Sequence, residues 1–467
     1  MTLRSAMKGL GHDVGVLGVL PVRPAQLDSP EAVNAWLYSV GSAERSRQVG
    51  AMSREKLTNF VALLDAATGP ELLRSVDPGL ATRIVGSADA AQAARWLESI
   101  ETDPAAEILR RLTNSARDRL LDQIDVPQAE TLREVLQWPP TSVAAHMHPD
   151  VFTVPDSITA AEAAVLVRTQ STQVRNRIQH GALIYVTDAD RRLTGFLEFQ
   201  DLVLAQPDQT VAELGSADPV WVRPRIDAEQ AAQSLVDYDL AALPVVDEQH
   251  RLLGVLTYDA AADIIDSAAT RDAERQGGSE PLEVPYLRAS PFRLWRKRIV
   301  WLLVLFVAEA YTGTVLRAFE DEMEAVVALA FFIPLLIGTG GNTGTQITTT
   351  LVRAMGTGQV RLRDLPQILA KEMSTGFLVA LTMAAAAIVR AWTLGVGPQI
   401  TITVSLTVAA IVLWSALVSS ILPLLLKKCR VDPAVVSAPM IATIVDGTGL
   451  IIYFLIAHAT LPQLAGL

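Results

Sequence analysis

The run Phe332-Ile333-Pro334-Leu335-Leu336-Ile337-Gly338-Thr339-Gly340-Gly341-Asn342-Thr343-Gly344-Thr345-Gln346 invites two opposite readings. Glycine-rich loops cradle phosphates, but such a loop follows a strand and carries a GxxxxGK pattern. Here there is no such lysine, and the run lies inside an apolar stretch. Small residues in that setting let neighbouring membrane helices approach closely. Pro334 and the glycines are expected to free backbone carbonyls, which membrane depth tolerates only where protein or water satisfies them. Asn342, Thr345 and Gln346 add polar groups. The run fits a tight helix–helix contact and a segment lining a wet pathway, and the two are compatible.

Working outward, five apolar stretches follow residue 290, at about 299–319, 325–351, 373–395, 400–426 and 434–460. Each reaches the roughly 20 residues that span a bilayer. The whole chain has 467 residues, of which 19% are charged, against about 25% in a soluble protein. The deficit is local. Residues 1–290 hold 41 acidic and 26 basic residues, a net of −15, while residues 291–467 hold 9 and 13, a net of +4. Cys429 is the single cysteine, which excludes a disulfide-stapled secreted protein. The acidic soluble part excludes nucleic acid as a partner. Lys8 and the apolar residues 14–22 resemble a short signal peptide, but His12 and Asp13 interrupt the approach and no small-residue cleavage site follows.

Basic residues alternate between the connections. Arg293, Arg296, Lys297 and Arg298 precede the first span. Arg353, Arg361, Arg363 and Lys371 follow the second, and Lys427, Lys428 and Arg430 follow the fourth. The other connections carry only Arg317 and Arg390. The positive-inside rule then puts the first 290 residues in the cytoplasm and the C-terminus outside.

The soluble part holds two repeat systems. An apolar column recurs every twelve residues: Phe60, Leu72, Ile84, Trp96, Ile108, Leu120, Leu132. A second runs Val49, Val61, Leu73, Val85, Leu97, Leu109, Leu121, and a third Met52, Leu64, Val76, Ala88, Ile100, Leu112, Ile124. Each unit suits one short amphipathic helix that is stable only when stacked. Asp77-Pro78, Asp103-Pro104 and Asn114-Ser115 stand where turns and N-caps belong. Residues 147–266 are a second duplication. Val186, Asp188, Arg192, Leu193, Gly195 and Leu197 match Val245, Asp247, Arg251, Leu252, Gly254 and Leu256 at an offset of 59. Leu243-Pro244-Val245-Val246-Asp247 followed by Leu253-Gly254-Val255-Leu256-Thr257 resembles the CBS motif. CBS pairs serve as regulatory modules, and their nucleotide sites use a strand-end hydroxyl with an Asp three residues on. Here the first copy has Glu198 with Asp201 and the second Thr257 with Ala260, so only Asp201 and Thr257 remain for a nucleotide. His146 and His148 read as a polar linker.

Span five carries Ala442-Thr443-Ile444-Val445-Asp446-Gly447-Thr448-Gly449-Leu450. A carboxylate at that depth costs several kcal/mol unless hydrated or paired, so it reads as functional. No Lys or Arg lies within a helical turn of Asp446, which leaves a cation or hydrated cation as its partner. Thr443 and Gly447 bracket it and are expected to leave room for water. Glu309 is a second mid-membrane carboxylate, facing either a pore or structure.

Helical repeats, a CBS pair, a linker and five spans follow in that order. With Gly-Thr-Gly-Gly-Asn-Thr-Gly-x-Gln in span two and Ala-Thr-x-x-Asp-x-Thr-Gly-Leu in span five, the chain resembles the MgtE family of magnesium channels from about residue 48 onward. Val431-Asp432-Pro433-Ala434 and Leu329-Ala330-Phe331-Phe332-Ile333-Pro334 add to the match. The resemblance implies a multidomain membrane protein of the bacterial inner membrane: an all-α superhelical repeat domain (28–138), an α/β CBS pair (139–265), a linker helix (266–292) and a five-helix transmembrane pore domain (293–461). It implies a homodimer in contact with lipid, with one pore on the two-fold axis. Asp446 of each copy would hold a largely hydrated Mg2+ beside the Ala442 carbonyl, with Gly340, Gly341, Asn342, Gly344, Gln346, Thr443, Gly447 and Glu309 lining or packing the pore. It also implies regulatory magnesium on the cytoplasmic domains, for which Asp263, Asp272, Asp237 and Asp239 are the candidates. Ala260, Ala268 and Arg271 stand where the family has acids, so weakened gating is expected. A carrier for another solute, or a membrane scaffold, is the alternative of a different class. A carrier calls for inverted repeats and broken helices, and a scaffold has no need of Asp446.

Overall fold

The computed structural model describes residues 27–169, 183–217, 219–282, 284, 286–429, 432 and 438–464. The signal-like residues 8–22, and Val431, Pro433 and Ala434 of the fourth quoted motif, lie outside the described residues. The chain divides into two compact units between Ala261 and Ala262.

Among the described residues the first unit begins with nine short helices: α1 (Pro30–Ser39), α2 (Ser42–Gly50), α3 (Arg54–Val61), α4 (Thr68–Ser75), α5 (Pro78–Val85), α6 (Ala90–Glu98), α7 (Thr102–Arg111), α8 (Asn114–Leu121) and α9 (Val126–Gln137). Helices of 8 to 12 residues are marginal alone in water. They stand because the twelve-residue columns interlock into one core. The Phe60 and Val49 columns are buried throughout, whereas Met52, Ala88 and Leu112 of the third pack half-buried on its edge. Trp96 sits at the centre, 1% exposed, and its indole Nε1 donates to the Asp65 carbonyl at 2.9 Å. Asp77 caps α5 as expected, accepting from the Leu80 N–H, with Pro78 at the first helical position. The other two caps shift. Asp103 and Asn114 lie inside the first turns of α7 and α8, whose N-cap residues are Glu101 and Thr113.

The duplicated region follows as β1 (Thr153–Pro155), α10 (Ala160–Thr169), β2 (Leu183–Thr187), β3 (Leu193–Glu198), α11 (Phe199–Leu204), α12 (Val211–Leu214), β4 (Ser216–Ala217), α13 (Ala228–Asp237), β5 (Ala242–Val246) and β6 (Leu252–Thr257). β1 pairs parallel with β2, β2 antiparallel with β3, and β5 antiparallel with β6. The first strand of the second copy is reduced to one parallel bridge, Val222 to Val245. The duplication extends to detail. Register shifts at Val186/Thr187 and again at Val245/Val246. Each turn then needs one residue at positive φ, Arg191 at 62° and His250 at 64°. Asp188 and Asp247 make this possible by accepting two backbone N–H groups each across the turn.

α14 (Tyr258–Gln276) is one unbroken helix that passes from the first unit into the second. The second unit continues with α15 (Pro291–Ala318), α16 (Glu320–Ala325), a 3-10 segment (Val327–Phe332), α17 (Ile333–Gly356), α18 (Leu365–Leu394), α19 (Pro398–Lys428) and α20 (Ala438–Thr460). Among the described residues five of its helical segments are long and apolar enough to cross a membrane. The first span starts earlier than hydropathy placed it, because Ser290 caps α15 and Pro291 occupies its first position. Arg293, Arg296, Lys297 and Arg298 are thus inside the helix, on stems long enough to reach an interface. Pro334 corrects another expectation. It falls in the first turn of α17, where its missing N–H had no acceptor anyway. The helix then runs unbroken through the glycines and frees no carbonyl there.

Truncating Trp96 to Ala empties the centre of the helical repeat and leaves the Asp65 carbonyl with the Gly69 N–H as its one remaining donor among the described residues. We expect a loss of about 3–5 kcal/mol, seen as trypsin cleavage within residues 28–138 at lower urea while the membrane spans stay intact.

Candidate functional site

α17, α19 and α20 approach one another at glycine steps. A Cβ on Gly340 would lie 2.7 Å from both Ile411 and Val445, and one on Gly344 would lie 2.5 Å from Ile441 and 2.8 Å from Ser415 Oγ. No larger residue fits without moving a helix. Ser415 then reaches across and donates to the Gly340 carbonyl at 2.8 Å. Between these steps Gly341 faces α20, with its would-be Cβ 3.3 Å from Ala442 and 3.6 Å from Asp446 Oδ1. The glycine run of span two and the carboxylate of span five are therefore one site.

The hydroxyls beside Asp446 do not serve it. Thr443 donates to the Pro439 carbonyl at 3.1 Å, and Thr448 to the Ile444 carbonyl at 2.7 Å. Trp414 Nε1 donates to Thr448 at 2.8 Å and so fixes α19 against α20. Asp446 Oδ1 is buried and has no hydrogen-bond partner among the described residues. The charged side chain whose field reaches it is Glu309, of the same sign. Gly447 does not leave room for water on its own face. The Tyr311 ring of α15 lies there, 2.3 Å from where a Cβ would stand. Tyr311, Trp414 and Ser415 drew no notice in the sequence; the small residue at 447 was the available signal for Tyr311.

Asn342 and Gln346 point away from this seam and are exposed on the chain, one helical turn apart with Arg353 further along the same face. At membrane depth such a stripe calls for protein or water rather than lipid. At the C-terminal end of α20, His458 Nε2 lies 3.0 Å from the buried Glu322 of α16. Tyr453 donates to the Leu329 carbonyl at 3.0 Å, and Phe454 stacks on Phe319 at 4.5 Å.

The regulatory candidates are scattered over both units. Asp237, which accepts from Gln233 Nε2, and Asp239, at φ 53°, are exposed in the first unit. Asp263 is exposed and Asp272 half-buried on the part of α14 that belongs to the second. Burial holds the Asp272 carboxyl above the ordinary carboxylate range, and Asp432 beside it adds to this; Arg275, Arg271 and Arg353 pull the other way. Arg275 forms an ion pair with Asp432. Asp432 was quoted as part of a motif and given no role; its place in that motif was the signal. The nucleotide candidates are both helix caps. Asp201 accepts from the Glu198 N–H in a capping box, and the buried Thr257 accepts from the Ala260 N–H. His146 contacts the Pro140 carbonyl and His148 lies beside Asp103. No group of three or more His, Cys, Asp or Glu side chains placed to hold a metal ion occurs among the described residues.

A magnesium transporter MgtE of Thermus thermophilus is 35% identical over 357 residues, covering 76% of this chain and 78% of the relative. The chain belongs to the MgtE family. The family model described as a divalent cation transporter matches residues 333–456, that for the MgtE intracellular N domain residues 41–141, and the CBS domain residues 143–208 and 211–266. An MgtE of Bacillus subtilis is 26% identical over 90% of this chain and 89% of its own length. A solved cytosolic domain of the Mg2+ channel MgtE in complex with ATP is 26% identical and covers 50% of this chain and 94% of its own, with a TM-score of 0.46. Members of the MgtE family are transporters and not enzymes, and this chain accordingly combines the N domain, the CBS pair and five apolar helices.

Asp272 gives the α14 contact a pH dependence. Its folded pKa is raised, so its contribution is full below the ordinary carboxylate range and is lost as pH rises through the raised value. Asp272→Asn stays neutral at every pH. In magnesium-free buffer we expect the second half of α14 to exchange amide hydrogens more slowly in the Asn variant than in the parent near neutral pH. The two should converge at about pH 4.

Proposed function

We propose that the protein is a magnesium channel of a bacterial inner membrane, in which two copies pair about a two-fold axis that carries the pore. Asp446 of each copy holds the ion, largely hydrated, beside the Ala442 carbonyl. The observation that supports this most is the buried, unpartnered Asp446 Oδ1 set against Gly341. Magnesium is bound through one or two carboxylates and keeps several waters, so one Asp per copy matches it better than a full protein cage. The exposed Asn342 and Gln346 stripe supports a wet or paired face on α17. Unbroken α17 to α20 favour a channel over a carrier built on discontinuous helices.

In this reading residues 28–138, 139–265, 266–292 and 293–461 are N domain, CBS pair, linker and pore domain, with the N-terminus cytoplasmic and the C-terminus outside. The CBS pair and N domain gate the pore by sensing magnesium. The repulsion between Asp272 and Asp432 is what a divalent ion would relieve on the linker side. Arg275, already paired with Asp432, competes for that role and weakens the response. The capping duties of Asp201 and Thr257 leave a nucleotide site without support from those two side chains.

Magnesium flux into liposomes decides the central claim. Asp446→Asn keeps the side-chain volume and removes the charge, and flux should fall at least about tenfold with the melting temperature unchanged. Parent-level flux in that variant would overturn the assignment. Mass measurement in detergent at micromolar protein should return a dimer, and monomer alone would remove the two-fold pore.

A further inference from the structure

We propose that Glu309, backed by the Thr312 hydroxyl, is a second ion-holding carboxylate that acts with Asp446 across the seam between α15 and α20. The assignment rests on the pore reading above and adds to it a residue from span one.

Depth comes first. Trp301 and Pro439 flank Gly278, Tyr311 covers Gly447, and Phe319 stacks on Phe454. The partner numbers differ by 138, 136 and 135, so α15 and α20 run in the same direction with nearly one register throughout. In that register Glu309 stands opposite position 445, one residue from Asp446. At about 1.5 Å of rise per residue, the two carboxylates lie at almost the same depth. Their fields reach one another accordingly.

The seam also holds a hydroxyl without a partner. Thr312 is three residues from Glu309 and therefore on the same face of α15. It is 5% exposed, and its Oγ1 is buried with no hydrogen bond among the described residues. Thr314, Thr343 and Thr448 satisfy themselves on their own helix, on Ala310, Thr339 and Ile444, whereas Thr348 of α17 is buried without a partner as Thr312 is. The Thr312 Oγ1 lies 3.4 Å from where a Cβ on Gly447 would stand, next to Asp446. Glu309, exposed on the single chain, thus shares one level of the apolar helices with the buried Thr312 hydroxyl and Asp446 Oδ1, and no basic side chain acts on Asp446 among the described residues. Like charges in such surroundings need a cation between them. One divalent ion balances two carboxylates, and hard oxygen donors of this kind are what magnesium takes, directly or through its waters.

The test measures magnesium flux in liposomes against magnesium concentration, together with melting temperature in detergent with and without magnesium. Glu309→Gln should raise the half-saturating magnesium about tenfold with little change in maximal flux. It should also shrink the stabilisation by magnesium without lowering the melting temperature in magnesium-free buffer. Glu309→Asp should retain most of both, and Thr312→Val should raise half-saturation about twofold to threefold. Parent-like half-saturation and stabilisation in Glu309→Gln, alongside lost flux in Asp446→Asn, would overturn the second carboxylate and leave the pore standing. Parent-like flux in both variants would overturn the pore as well.

Discussion

A carboxylate in the middle of an apolar helix is tolerated only when water, a counter-charge or an ion answers it. Around Asp446 three neighbouring donors are turned elsewhere, Thr443 and Thr448 onto their own helix and Trp414 onto Thr448. What the bundle supplies instead is proximity. Gly340, Gly341 and Gly344 bring the backbone of α17 against α20, and Gly447 does the same for the ring of Tyr311. The helix packing beside the carboxylate is close, and Asp446 Oδ1 has no hydrogen-bond partner among the described residues.

The cytoplasmic half obeys a different constraint. Its helices and strands are too short to persist singly, so repetition stabilises them. The twelve-residue columns let every helix of the N domain bury its apolar face in one shared core. In the CBS pair the aspartates at 188 and 247 each hold a turn whose fourth residue sits at positive φ. Those aspartates, matched in the sequence only as equivalent positions of the duplication, are turn-makers.

Much of this was legible in the residues. Periodicity located the helical repeats, because burial of a face leaves a spacing that composition alone cannot mimic, while matches at a fixed offset located the duplication and apolar runs of bilayer length the five spans. The span-two and span-five motifs were recognisable, and the structure brings them together. What spacing does not carry is the identity of the opposing helix. A glycine announces a close approach and not its partner, so Tyr311 and Ser415 were invisible. Pro334 was misjudged for a related reason: a proline that breaks a helix and one that begins it differ only in where the preceding turns end. Here the 3-10 segment Val327–Phe332, tied down by Tyr453 at Leu329, sets that boundary. The caps shifted by two residues to Glu101 and by one to Thr113 show the same ambiguity at smaller scale.

The contacts of Glu322 with His458, of Leu329 with Tyr453 and of Phe319 with Phe454 all fall on the C-terminal half of α20. Mechanically, α20 is a lever with its pivot there. His458 is twelve residues past Asp446 and Pro439 seven before it, which at about 1.5 Å per residue is about 18 Å and about 10 Å. A rigid swing about the pivot that displaces the Pro439 end by about 3 Å carries Asp446 by about 2 Å, in proportion to those lengths. The carboxylate would thus travel through most of any motion imposed at the far end of the lever, and in the proposed pore a shift smaller than a water molecule would change whether a hydrated ion fits beside it.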